Sequence, residues 1–168
     1  LIAVNIYIIA TNGAPNRWVA VTSILNNLDG NKLFKNNGNK TFTEVSGNLN
    51  PEISPNNEIS IQSAAVGDLN SDGFIDIMAG FATGYNSPSN NPDRLYLNNG
   101  NANNWSEIKL TGIVSNINGI GARIEMHTAS GMQIREVRSG ESYGTMNSLM
   151  THFGIASQTA ITKIAIVN

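Results

Sequence analysis

The chain has no cysteine, which excludes a disulfide framework and any thiol chemistry. Charged residues make up only 13% of it and the formal net charge is −2, so there is no basic face to hold nucleic acid. Aromatics stand at 7%. No apolar run approaches the roughly 20 residues that a membrane-spanning helix takes. No segment sustains a 3.6-residue apolar period, so little helix is expected. What remains is polar without being charged. Asn, Ser, Thr and Gly set the character of the chain, which is the composition of turn-rich β proteins and extracellular surfaces. With 168 residues, 40% of them hydrophobic, there is room for one large or two small domains.

The first ten residues, LIAVNIYIIA, have the apolarity of a signal-peptide core but not its flanks. No initiating Met or basic segment precedes them, and no small-residue cleavage site follows. They read as a buried strand in a chain that begins after processing or as a fragment. Ile2, Val4, Ile6 and Ile8 make one face apolar, and Tyr7 and Ile9 the other. Such a strand belongs inside a sheet or between two sheets.

Among the residues that are present, nine carry most of the chemistry: Asp68-Leu69-Asn70-Ser71-Asp72-Gly73-Phe74-Ile75-Asp76. Oxygen side chains fall at positions 1, 3, 5 and 9, and glycine at position 6. One tight loop with that spacing turns several hard oxygens toward a single cation, and Ca²⁺ accepts such ligands in flexible geometry. An EF-hand begins in the same way but needs a Glu at position 12, where this chain has Ala79. The flanks, Ser63-Ala64-Ala65-Val66 and Ile75-Asp76-Ile77-Met78-Ala79, are short and apolar, as strands are and good helices are not. The simpler alternative is a metal-free turn rich in Asx and Gly. A turn, however, needs one Asp or Asn, whereas three carboxylates in nine residues repel one another unless a cation lies among them. The weak sites of extracellular modules need the calcium concentrations found outside cells, which places the expected site there.

A repeat runs along the first half. Asn31-Lys32-Leu33-Phe34-Lys35-Asn36-Asn37-Gly38-Asn39 returns as Asp93-Arg94-Leu95-Tyr96-Leu97-Asn98-Asn99-Gly100-Asn101, an offset of 93 − 31 = 62 residues. Each copy continues to an aromatic and an acidic residue, Phe42 and Glu44 in the first, Trp105 and Glu107 in the second. Asn-Gly between short apolar-aromatic segments is a strong hairpin signal, so each copy reads as strand, polar loop, strand, Asn-Asn-Gly turn, strand. The loops fall at residues 11–17 and 83–92. Upstream, Asn5 of the first copy stands where the second has Asp76, and the first copy offers no metal site.

Beyond residue 104 the pattern changes. Ile124 and Met126 alternate with Arg123, Glu125 and His127, which marks a half-buried strand. Ala129-Ser130-Gly131 is a turn, residues 132–138 a returning strand and residues 161–167 a last one. Arg123, Glu136 and Arg138 suggest a cross-strand ion pair.

Val66-Gly67 with the nine-residue loop, followed by Arg94-Leu95-Tyr96-Leu97-Asn98-Asn99-Gly100, resembles an FG-GAP/VCBS repeat, the blade of the integrin-α type of β-propeller. Asn118-Gly119-Ile120-Gly121-Ala122-Arg123, Arg135-Glu136-Val137-Arg138-Ser139-Gly140, Tyr143 and His152-Phe153-Gly154-Ile155 resemble an ASPIC/UnbV domain. The two occur in this order in cartilage acidic protein-like and bacterial secreted proteins. The resemblance implies calcium held by Asp68, Asn70, Asp72, the Phe74 carbonyl and Asp76. It assigns no catalytic residues to the second domain.

The expected fold is all-β: partial propeller-like blades with a calcium hairpin loop over residues 1–103, then a small antiparallel sandwich or barrel-like domain over residues 104–168. A closed propeller takes about four to eight blades. The expected function is a non-enzymatic, extracellular, calcium-binding module for adhesion or assembly, whose partner is a protein or glycan surface. One alternative is a filament subunit that donates residues 1–10 to another copy, since an incomplete blade leaves open strand edges. The other is the C-terminal piece of a larger secreted propeller. His127 and His152, the only histidines, have no nucleophile motif beside them and read as structural. Asn39-Lys40-Thr41 and Asn104-Trp105-Ser106 are glycosylation acceptor sequons, Asn39 being the better placed at a hairpin tip.

Overall fold

The computed structural model describes residues 4–10, 17–23, 32–37, 39–45, 61–84, 87–88, 92–141 and 144–167. Gly38, Tyr143 and residues 11–16 of the first polar loop lie outside them. Within the described residues every regular element is a strand. β1 (Val4–Ala10), β2 (Arg17–Ser23), β3 (Lys32–Asn36) and β4 (Phe42–Glu44) form a four-stranded antiparallel meander in that order. This is the plan of a propeller blade. β1 is paired along its whole length, from Val4 opposite Ser23 to Ala10 opposite Arg17. The strand expected to seek a partner thus has one in its own chain, and it forms an edge of the sheet.

A second sheet centres on β6 (Asp76–Gly84), which pairs with β5 (Ile61–Gly67), β7 (Ser87–Pro88) and β8 (Arg94–Tyr96). Ala64, Ala79 and Phe81 form its small core, with Tyr96 packed against them. The remaining strands build a unit of two layers. β11 (Gly131–Glu136), β10 (Arg123–Thr128) and β13 (Lys163–Val167) make one sheet, and β12 (Thr151–Ala156) with β9 (Asn104–Ile108) the other. The alternation in β10 acts as the sequence indicates: Ile124 and Met126 are fully buried, and Arg123 between sheet and solvent is exposed. They meet Phe153 and Ile155 of β12, with Ile108 of β9 against the cluster. Burying each such side chain is worth roughly 1.5–3 kcal/mol, and among the described residues this cluster is larger than that of the β5–β6 sheet.

Two expectations are corrected here. The second Asn-Asn-Gly segment is not a hairpin: β8 pairs only with β6, and β9 crosses to β12. The ion pairs of Arg123 and Arg138 are also not cross-strand. Arg123 faces Glu136 in register but bonds Glu125, and Arg138 bonds Glu136 at 2.6 Å and Glu141 at 3.3 Å. Residues two apart share a face of a strand, so the nearer carboxylate wins.

Candidate metal centre

The loop at residues 68–76 joins β5 to β6, and its backbone is shaped by its own side chains. The Asp68 carboxylate accepts from the N–H of Asp72 at 3.1 Å and of Gly73 at 2.7 Å. Asp72 accepts from the Phe74 N–H at 2.9 Å and from the Asn70 side-chain amide at 2.8 Å. Asn70 Oδ1 in turn accepts from the Asp72 N–H at 3.1 Å. The coil takes two left-handed residues, Ser71 at φ 61° and Gly73 at φ 86°. Glycine at position 73 answers two demands. It adopts that φ without a Cβ penalty, and a Cβ there would lie 1.8 Å from the Trp105 ring.

Asp76 differs from the other two carboxylates because it is completely buried. One oxygen accepts from the Leu69 N–H at 2.9 Å and the other from the Asn98 N–H at 2.8 Å. Among the described residues no Lys or Arg forms an ion pair with Asp68, Asp72 or Asp76. Asn98 also donates its side-chain amide to the Ile75 carbonyl at 3.2 Å and accepts from the Gly100 N–H at 2.9 Å. That clasp holds the second Asn-Asn-Gly segment to the loop, which is why it does not turn back as a hairpin.

The second unit covers the loop from the other side. Trp105 of β9 stacks on His152 of β12, with ring centroids 6.0 Å apart and planes at 22°. His152 Nε2 lies 2.8 Å from the Gly73 carbonyl oxygen, while Nδ1 is buried without a partner. Burial holds the His152 ring below its usual pKa of 6.5, although the Gly73 carbonyl pulls the other way. Glu107, opposite His152 in register, has its carboxyl raised by burial and then by the charge of Asp68. Two further bonds close the joint: Asn147 Oδ1 accepts from the Val66 N–H, and the Ser148 N–H donates to the Val66 carbonyl, both at 3.0 Å.

As donors, the loop offers carboxylate, amide and carbonyl oxygens, a set that suits Ca²⁺ and not a thiolate- or imidazole-seeking metal. Each Asp accepts two hydrogen bonds, and an ionised carboxylate has about four lone-pair sites, so capacity for a cation remains. Among the described residues no three His, Cys, Asp or Glu side chains stand together as a ready-made metal group. A cation would have to draw Asp68, Asp72 and Asp76 together.

The other candidate residues are apart from this centre. Asn39 is exposed, its Oδ1 accepting from the Thr41 N–H and hydroxyl at 3.1 and 2.5 Å. Asn104 is exposed on β9 and donates to the Gln158 carbonyl at 3.1 Å. His127 has a buried Nε2 without a partner. Sequence reasoning missed Trp105 and His152 as neighbours of the loop, because their approach depends on β9 leaving β8.

Comparison with known families now joins the geometry. A model of the FG-GAP-like repeat matches residues 7–79, which takes in the whole loop, and a model of the ASPIC and UnbV domain matches residues 112–167. The chain therefore carries an FG-GAP-like repeat region followed by an ASPIC and UnbV domain, the order in which the sequence motifs stand. Repeats of this kind are typical of extracellular or cell-surface proteins. The segment from Arg94 to Gly100, which the sequence resemblance included, lies outside both matches. No curated protein matches the chain.

Proposed function

We propose that the chain is a non-enzymatic extracellular module in which calcium at residues 68–76 stabilises the fold for adhesion or assembly. Asp68, Asn70, Asp72, the Phe74 carbonyl and Asp76 would hold the ion. The observation that carries this reading is Asp76, a fully buried carboxylate with no basic partner among the described residues. An isolated buried charge is costly, and a cation beside it offsets that cost. The bound ion would neutralise the three carboxylates and fix the connection between β5 and β6; it has no chemistry to perform on a substrate. In this reading the repeats run over residues 1–103 and the second domain over residues 104–168, which the pairing of β9 with β12 supports.

A protein or glycan surface is the partner we infer. Ile113, Val114 and Ile117 are exposed together on the loop leaving β9, and clustered exposed apolar residues mark contact surfaces. Among the described residues no helix is long and apolar enough to cross a membrane. Strand donation by residues 1–10 is the weaker reading, because β2 already pairs β1. Calorimetry with calcium chloride tests the site: one ion per chain, with Kd on the order of 10⁻⁴ to 10⁻³ M as in other extracellular modules, and no binding by Asp72→Ala. Equal heats for the two proteins would remove the site.

A further inference from the structure

The loop is held from two directions, by its own carboxylates and by the aromatic pair of the second unit. We propose that Trp105 and His152 are positioning residues of the cation loop: they fix Gly73, so calcium binding and docking of the β9–β12 pair on the loop reinforce each other. This rests on the calcium reading of residues 68–76.

The geometry supports the coupling at one residue. Gly73 sits between Asp72 and Phe74, two members of the proposed ligand set. Trp105 occupies the space beside its Cα, where an added Cβ would meet the ring at 1.8 Å. The Gly73 carbonyl is engaged by His152 at 2.8 Å. His152 and Trp105 are themselves locked, His152 6% exposed and stacked on the indole. Reshaping the loop at Gly73 therefore means losing that contact, and separating β9–β12 removes the Trp105 and His152 restraints on Gly73 while its N–H stays bonded to Asp68. Asn98 ties the same loop to the chain entering β9, through its bonds to Asp76 and Ile75. Coupling between two events is reciprocal: whatever factor docking adds to calcium affinity, calcium adds to docking.

The test uses the full chain in a Trp18→Phe background, so that Trp105 is the only indole. Calcium chloride is titrated while heat and Trp105 fluorescence are followed, and hydrogen exchange is measured with and without the ion. We expect the fluorescence change to follow the binding isotherm, and amides of residues 104–108 and 151–156 to gain more protection than those of β10 and β13. Trp105→Ala and His152→Ala should weaken binding by roughly tenfold, within the usual range of coupling, and Trp105→Phe should recover most of the loss. Binding by the parent with no fluorescence change and no added protection at β9 and β12 would overturn the coupling and leave the calcium site standing. Unchanged affinity in a folded Trp105→Ala would do the same. If an alanine variant does not fold, the exchange measurement on the parent decides. No calcium heat in the parent would instead remove the underlying site, and the coupling with it.

Discussion

The two Asn-Asn-Gly segments, 62 residues apart in a repeated sequence, end in different structures. In the first, β3 and β4 close as a hairpin, with Asn36 opposite Phe42 and the Asn37 N–H donating to the Thr41 carbonyl at 3.0 Å. Asn37 adds side-chain bonds to Thr41 and Thr43 at 2.9 and 3.1 Å. In the second, Asn98 turns its hydrogen bonds toward Asp76 and Ile75, and the Phe74 ring packs at Gly100, 3.0 Å from where a Cβ would be. The local signal is the same in both copies. What differs is the neighbouring strand: β6, which pairs β8, begins at the buried Asp76 carboxylate, whereas β2, which pairs β3, begins at Arg17. A tertiary acceptor outcompetes a local turn because a buried, charged acceptor makes the stronger hydrogen bond.

Removing that acceptor has the largest expected effect. Asp76→Ala removes the acceptor of two part-buried hydrogen bonds, from the Leu69 and Asn98 N–H groups, and a hydrogen bond to a charged group contributes about 1.5–3 kcal/mol. A loss near 3 kcal/mol in chemical denaturation is expected, and a smaller one for Asn37→Ala, whose side-chain hydrogen bonds in the first hairpin are exposed. A loss under about 0.5 kcal/mol, the size of an ordinary surface change, would break the comparison.

A smaller effect should appear in the pH dependence of stability. His152 is held below 6.5 by burial, so below that pH the unfolded chain takes up a proton before the folded one does. More protons bound in the unfolded state means stability that falls as pH falls. The contribution is complete above pH 6.5 and is lost as pH drops through the folded value. Glu107 acts in a lower window and with the opposite sign. Its carboxyl is raised above the usual 4.5, so stability falls as pH rises from there. In denaturation between pH 5 and 7.5, His152→Gln should flatten the slope. An unchanged slope would show that the ring does not titrate with folding.

Much of this fold was legible from period and turn chemistry. The alternation in residues 123–127 marked Ile124 and Met126 as core, and the Gly131 turn and the return strand follow it. The loop was legible as well, since its oxygens and glycine are set by spacing alone. Hidden from the sequence was every feature that depends on distant partners. The cross-over of β9 to β12 needs His152 and Phe153, more than forty residues further on. The Trp105–His152 stack and the clasp of Asn98 on Asp76 arise only once that crossing is made. The expected cross-strand pairing of Arg123 with Glu136 failed for a different reason, because Arg123 takes Glu125, two residues away on the same face of its own strand.

The most direct test of the calcium reading is the melting temperature of the full chain in excess calcium and in chelator, beside that of Asp72→Ala. A ligand bound only by the folded state stabilises it by about 2.7 kcal/mol at a concentration of roughly 100 times its Kd. The wild type should therefore melt higher in calcium than in chelator, by about 5–11 °C at roughly 2–4 °C per kcal/mol for a chain of this size, and Asp72→Ala should melt at the same temperature in both. Equal shifts in the two proteins, or no shift in either, would contradict a calcium site at residues 68–76.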